Sequence, residues 1–265
     1  MIDTNNIAKD IALIKENAPL VLNITNYVAM NFSANALLSI GASPIMAHAE
    51  EEMLEMSGIA GSLVLNIGTL DKRWVKGMLK AGQSMHKQNK PIILDPVGVG
   101  ASKYRMETCR KIIKKCSPNI IRGNGSEIMA LVKADNQGKG VDSTVTSDSA
   151  LESAKRLALK TNAIVVISGE IDYITDGKRV EKIFNGDALM TKVTAMGCTA
   201  TALIGAFAAI NKDFFQASVH AMSVMGVVGE MAAKRSAGNG SLQVSFLDEL
   251  FLLSPETLLT NIKQL

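Results

Sequence analysis

The sequence predicts an α/β fold: a mostly parallel central sheet with helices on both faces and an antiparallel edge. Three observations point there. Short, continuous apolar runs alternate with longer helical stretches; the polar residues of those runs gather at one end; and one pair of runs is joined by a turn too short for a crossover. Continuous apolar runs mark strands covered on both faces, because a strand with one wet face would alternate.

In chain order, Asp3 or Thr4 can cap a first helix reaching about Glu16, and Pro19 breaks it before the strand Leu20–Ile24. A small-residue helix over 31–40 is closed by Gly41, residues 44–47 read as a second short strand, and a methionine-bearing helix over 51–56 follows. Residues 62–67, 91–95, 119–122 and 163–167 are further apolar strands. Residues 171–175 and 179–183, joined through Asp176-Gly177 read as a two-residue hairpin turn, supply the antiparallel edge. The polar, glycine-containing stretch between Lys133 and Ser147 reads as a surface loop. Toward the C-terminus, 197–210 and 214–233 are strongly apolar helices, the second carrying His220 as a hydrogen-bonded core residue, and Ser254-Pro255-Glu256 opens a last helix with a cap and a proline at its first position.

Composition narrows the function classes. The 265 residues suit one domain, 1–265, since open α/β sheets often exceed 200 residues, and 47% hydrophobic content is ample for its core. A net charge of +3 without a basic run, together with 4% aromatic residues, argues against a nucleic-acid partner. The uncharged run 193–210 would give a helix of only about 21 Å from Gly197, against roughly 30 Å of hydrocarbon, so no membrane partner is expected. Three cysteines without a C-x-x-C pair fit a reducing compartment, and Cys109 and Cys116 share a helical face with Ile112 and Ile113 as core residues. The polar start Met1-Ile2-Asp3-Thr4 lacks the form of a signal peptide, and a cytoplasmic protein is expected.

The polar strand ends are Asn23 with Thr25 and Asn26, Asn66, Asp95, Arg122 with Asn124, and Ser168 with Glu170. Ligands of open parallel sheets bind at the carboxyl ends of the strands, so these residues should converge on one crevice. The turn Lys192-Val193-Thr194-Ala195-Met196-Gly197-Cys198 leads into a helix whose free N–H groups and positive end make an anion site. Cys198 falls on its first turn, where the same dipole should lower the thiol pKa. Neither a P-loop nor a complete dinucleotide fingerprint is present; the glycines of Asp95-Pro96-Val97-Gly98-Val99-Gly100-Ala101 instead allow close backbone approach beside an acid. Asn124-Gly125-Ser126-Glu127 opens a helix on the same rim, where Glu127 serves equally as half of a capping pair or as a second acid for Mg²⁺. Both Asp95 and Glu127 are expected at exposed strand or helix ends. An anion-cradling helix end, a proton acceptor, two acids and Arg122 are the parts of alcohol phosphorylation.

Asn23-Ile24-Thr25-Asn26, Asp95 to Ala101, Arg122 to Glu127 and Met196-Gly197-Cys198, in that order along nearly the whole chain, resemble the hydroxyethylthiazole kinases, ribokinase-like enzymes of thiamine salvage. The resemblance implies ATP-dependent phosphorylation of a thiazole alcohol. It assigns Arg122 and Ser168 with the Gly197 turn to ATP, Met46, the backbone at Ala195 and Asn26 to the alcohol, Asp95 and Glu127 to magnesium, and Cys198 to the position where many related kinases carry an aspartate base. It also implies a homotrimer with active sites between subunits. Two positions depart from the family pattern. Ala195 replaces a more usual glycine, which requires a negative φ if the turn is to be unstrained, and Ser168 keeps the hydroxyl of a more frequent threonine. Two other readings stay open: a nucleotide-dependent dehydratase acting on hydrated nicotinamide cofactors, which Cys198 counts against, and a nucleotide-binding protein without catalysis.

Overall fold

A computed structural model describes residues 2–133 and 147–263. The elements are α1 (Thr4–Asn17), β1 (Leu20–Ile24), α2 (Met30–Ile40), β2 (Ser43–Met46), α3 (Met53–Ile59), β3 (Ser62–Asn66), α4 (Lys72–Lys87), β4 (Ile92–Asp95), α5 (Lys103–Cys116), β5 (Ile120–Asn124), α6 (Gly125–Lys133), α7 (Ser147–Thr161), β6 (Ile164–Ser168), β7 (Asp172–Thr175), β8 (Val180–Ile183), α8 (Met196–Ile210), α9 (Phe214–Lys234), α10 (Asn239–Leu252) and α11 (Pro255–Asn261). The interior of the polar stretch between Lys133 and Ser147 lies outside the described residues.

The strands form one sheet in the order β2-β1-β3-β4-β5-β6-β7-β8, parallel through β6 and antiparallel for β7 and β8. Successive strand residues face opposite sides. Val21, Val64, Ile93 and Ile120 join a core with α1, α2 and α8 to α11, while Leu22, Leu63, Leu65, Ile92, Leu94 and Ile121 join a second core with α3 to α7. The central strands therefore have to be apolar along the stretches covered on both faces. Sequence signals mark the helix ends: Asp3 accepts from the N–H groups of Asn5 and Asn6, Gly41 ends α2 at φ +97°, and Ser254 caps α11 ahead of Pro255.

The small residues of α8 have a packing reason. A Cβ on Gly205 would come within 3.0 Å of both Val21 and Val64, so the helix lies close against β1 and β3 and its N-terminus arrives at their carboxyl ends. Cys109, Cys116 and His220 are core residues, the last hydrogen-bonded through Nδ1 to Asp10 at 2.6 Å. Among the described residues no helix is long and apolar enough to cross a membrane.

The hairpin differs from expectation. Thr175 pairs with Val180, leaving four connecting residues and not two. Asp176 Oδ1 accepts from the N–H groups of both Lys178 and Arg179, and this side-chain-closed turn replaces the tight one.

Candidate active site

Because β2 and β3 lie on opposite sides of β1, the loops leaving β1 and β3 part from a topological switch point, where an open sheet presents its crevice. Asn26 follows β1, Asn66 ends β3 and Asp95 ends β4, and the three are wired together. Asn26 Nδ2 donates to Asn66 Oδ1 at 2.9 Å, and Asn66 Nδ2 donates to Asp95 Oδ2 at 2.8 Å. Both amides also donate to Cys198 Sγ, at 3.3 and 3.2 Å. Thr201, on the same face of α8 one turn on, donates to Asp95 Oδ2 at 2.9 Å. Asn66 is visible in the sequence only as one polar strand end among several, and Thr201 carries no reading there beyond its place in the helix that follows Gly197.

Two expectations fail here. Asp95 is 1% exposed, because β3, β5 and α8 close around it, and burial raises its pKa to about 6, with Arg122 opposing and Glu127 adding to the rise. Cys198 is not acidified. Burial first and Asp95 second push its thiol up to about 11, and the amide donors and Arg122 lower it without offsetting those effects. A helix N-terminus favours a thiolate, but not enough to overcome partial burial beside a carboxylate.

A third expectation fails at Ala195, which takes φ +71° as the N-cap of α8. The turn keeps the left-handed shape that a glycine would give it and accepts the strain of a Cβ there, on the order of 1 kcal/mol.

Beside this network lies a cavity of ≈ 640 Å³ lined by Arg122, Ser168, Asp172, Gly186, Gly197 and Met225 among others. Arg122 is buried; one guanidinium nitrogen donates to Ser168 Oγ, and its Nε has no partner. Gly197 lies so close that a Cβ would come within 2.8 Å of Arg122 Nη1. A buried cation with an unused donor, set against a helix N-terminus, is suited to a phosphate group. Asp172, which the sequence reading passed over, is also buried on the cavity wall; burial raises its pKa to about 6, against the Gly169 N–H bond and Arg122.

Glu127 and Asn124 form the reciprocal cap: Asn124 N–H donates to Glu127 Oε2 at 2.8 Å and Glu127 N–H to Asn124 Oδ1 at 2.9 Å. Glu127 Oε1 accepts from Gly98 N–H, also at 2.8 Å, so both oxygens are engaged. Asp95 Oδ1 is buried with no partner. Among the described residues no group of three or more His, Cys, Asp or Glu gathers for a metal. One orphaned carboxylate oxygen with a second acid nearby fits a cation that takes few protein ligands, as Mg²⁺ does on nucleotide phosphates.

Met46 stands apart. It is half-buried at the end of the edge strand β2, opposite Asn23, and does not line the cavity.

The family model described as the hydroxyethylthiazole kinase family matches residues 11–256. A hydroxyethylthiazole kinase of Leptospira biflexa is 52% identical over 253 residues, 96% of this chain and 95% of that protein. A solved hydroxyethylthiazole kinase structure from Pyrococcus horikoshii OT3 superposes with a TM-score of 0.91 at 37% identity, covering 98% of both chains. An ADP complex of Bacillus subtilis pyridoxal kinase, at 16% identity and a TM-score of 0.61 over 78% of this chain and 90% of that one, shares the ribokinase-like fold.

Proposed function

The chain belongs to the hydroxyethylthiazole kinase family, and on that premise we propose that it transfers the terminal phosphoryl group of ATP to the hydroxyl of 4-methyl-5-(2-hydroxyethyl)thiazole, as a cytoplasmic enzyme of thiamine salvage built as one kinase domain. The dehydratase and non-catalytic readings gain no support from this kinship. The observation that carries the reading is the junction at Gly197 and Cys198: one residue abuts the buried Arg122, and the next receives the amides wired to Asp95.

The nucleotide occupies the cavity, with Arg122, Ser168 and the α8 N-terminus holding its phosphates. Asp95 would hold Mg²⁺, with Glu127 adding negative charge from its capped position, and the cation would supply neutralisation of phosphate charge. Asn26, Met46 and the backbone at Ala195 hold the alcohol. The hydroxyl oxygen forms its bond to phosphorus as the bond to the leaving ADP oxygen breaks. Cys198, a thiol at neutral pH, already carries its proton and so orients the hydroxyl; the hydroxyl proton passes to an oxygen of the transferred phosphoryl group as the new bond forms, when the attacking oxygen has become acidic.

The alcohol site is completed by a second subunit of a homotrimer. Support comes from β2, an edge strand with all four residues half-exposed, and from exposed Tyr27 and Val28 beside Asn26. Mixing inactive Met46 and Cys198 variants should then restore partial activity, whereas a monomer by sedimentation at micromolar concentration defeats the arrangement.

The function is tested by incubating the protein with ATP, Mg²⁺ and the thiazole alcohol. ADP and a phosphorylated alcohol, identified by mass, should appear only with all three. Activity confined to pyrimidine or pyridoxal alcohols would overturn the substrate assignment.

A further inference from the structure

Arg105 lies in the first turn of α5, and its guanidinium reaches three backbone carbonyls on two loops. Nη1 donates to Ile67 O at 2.7 Å and to Val97 O at 2.6 Å, and Nη2 donates to Gly68 O at 2.5 Å. Ile67 and Gly68 leave β3, while Val97 leaves β4. A planar fork can serve three acceptors in fixed directions; an ammonium group cannot reproduce that geometry.

Each carbonyl stands close to the working residues. Gly68 N–H donates to Asn66 Oδ1 at 2.9 Å, and a Cβ on Gly68 would come within 2.7 Å of the Asn26 side chain. The position of Gly68 thereby sets the two amides that donate to Cys198. On the other loop Gly98 follows Val97, takes φ +62° beside the Arg105 guanidinium, and gives its N–H to Glu127 Oε1.

We propose that Arg105 is a positioning residue that holds the β3 and β4 exit loops in register, and so fixes the amide pair at Cys198 relative to the acids Asp95 and Glu127. Its role in turnover rests on the kinase reading of this site; its effect on Cys198 does not. Misplacement of reacting groups by about 1 Å can cost on the order of 100-fold in rate.

The test uses Arg105→Lys and Arg105→Met in the full chain, with two readouts. The first is the alkylation rate of Cys198 at pH 9, followed by mass spectrometry at that residue. Loss of aligned amide donors leaves less thiolate, so the rate should fall at least threefold in both variants. The second is kinase turnover, which should fall about 10-fold for Lys and about 100-fold for Met, with the Mg²⁺ activation midpoint raised and ATP affinity within threefold of the parent. If Arg105→Met does not fold, Arg105→Lys decides. An unchanged or faster alkylation rate in the folded Lys variant overturns the proposal, as does parental turnover with a parental Mg²⁺ midpoint. A parent protein that makes no ADP with the thiazole alcohol sinks the kinase reading and leaves the alkylation result to judge Arg105.

Discussion

The two halves of the crevice differ in how finished they are. Around Cys198, the side chains of Asn26, Asn66 and Thr201 are spent on one another, on sulfur and on Asp95. Around Arg122 there is an open cavity walled partly by glycine and methionine, with a cationic Nε unpaired. The first half is rigid because strand ends inside a parallel sheet are fixed by their neighbours on both sides. The second is shaped by backbone turns. On the proposed reading, the groups around the reacting hydroxyl are organised before substrate arrives, and nucleotide recognition is completed by the ligand's own phosphates.

The largest effect that would break this contrast comes from Asp95. Asp95→Asn should cut turnover by about 10²–10³-fold, the scale of losing one preorganised electrostatic contact, yet raise the thermal midpoint. The folded pKa of about 6 lies above the unfolded value, so the folded state holds the extra proton between them. Stability present below pH 4 is lost as pH rises through about 6, and Asn removes that loss. Melting curves at pH 5 and pH 8 should converge in the variant, with Asp172 contributing a residual slope of the same sign. Turnover of the parent should fall as pH drops through about 6.

Next in size is the nucleotide half. Arg122→Met removes a charge-assisted contact worth about 1.5–3 kcal/mol, so ATP affinity by calorimetry should weaken about 10–100-fold, while the alkylation rate of Cys198 should fall by less than in the Arg105 variants, Arg122 being the least of the causes that lower its pKa. Glu127→Gln should do less than Asp95→Asn, raising the Mg²⁺ midpoint several-fold, because both of its oxygens already accept backbone N–H groups. Ala195→Gly is the smallest: with φ +71° relieved, stability by denaturant titration should rise by about 0.5–1 kcal/mol.

The sheet and its two helical faces were legible because periodicity and breakers such as Pro19 and Gly41 act locally. So was the gathering of Asn26, Asp95, Arg122 and Ser168 at one rim, which follows from parallel topology alone. The electrostatics were not legible: the Cys198 and Asp95 shifts depend on α8 packing closely through Gly205, a tertiary fact. Nor was Ala195, whose strained φ is imposed by the start of α8. Arg105 carries no local signal, since its partners are carbonyls, which every residue possesses. The helix α10 was overlooked although Leu242, Phe246 and Leu250 recur at intervals of four.

The most direct measurement compares ATP binding and turnover in Cys198→Ala. The account predicts an ATP dissociation constant within threefold of the parent, since on the proposed reading Arg122 and Ser168 hold the nucleotide without sulfur, and a turnover reduced about 10²-fold by loss of the group that orients the hydroxyl. Parental turnover, or loss of ATP binding in step with turnover, would contradict the division of the site into a finished catalytic half and an open nucleotide half.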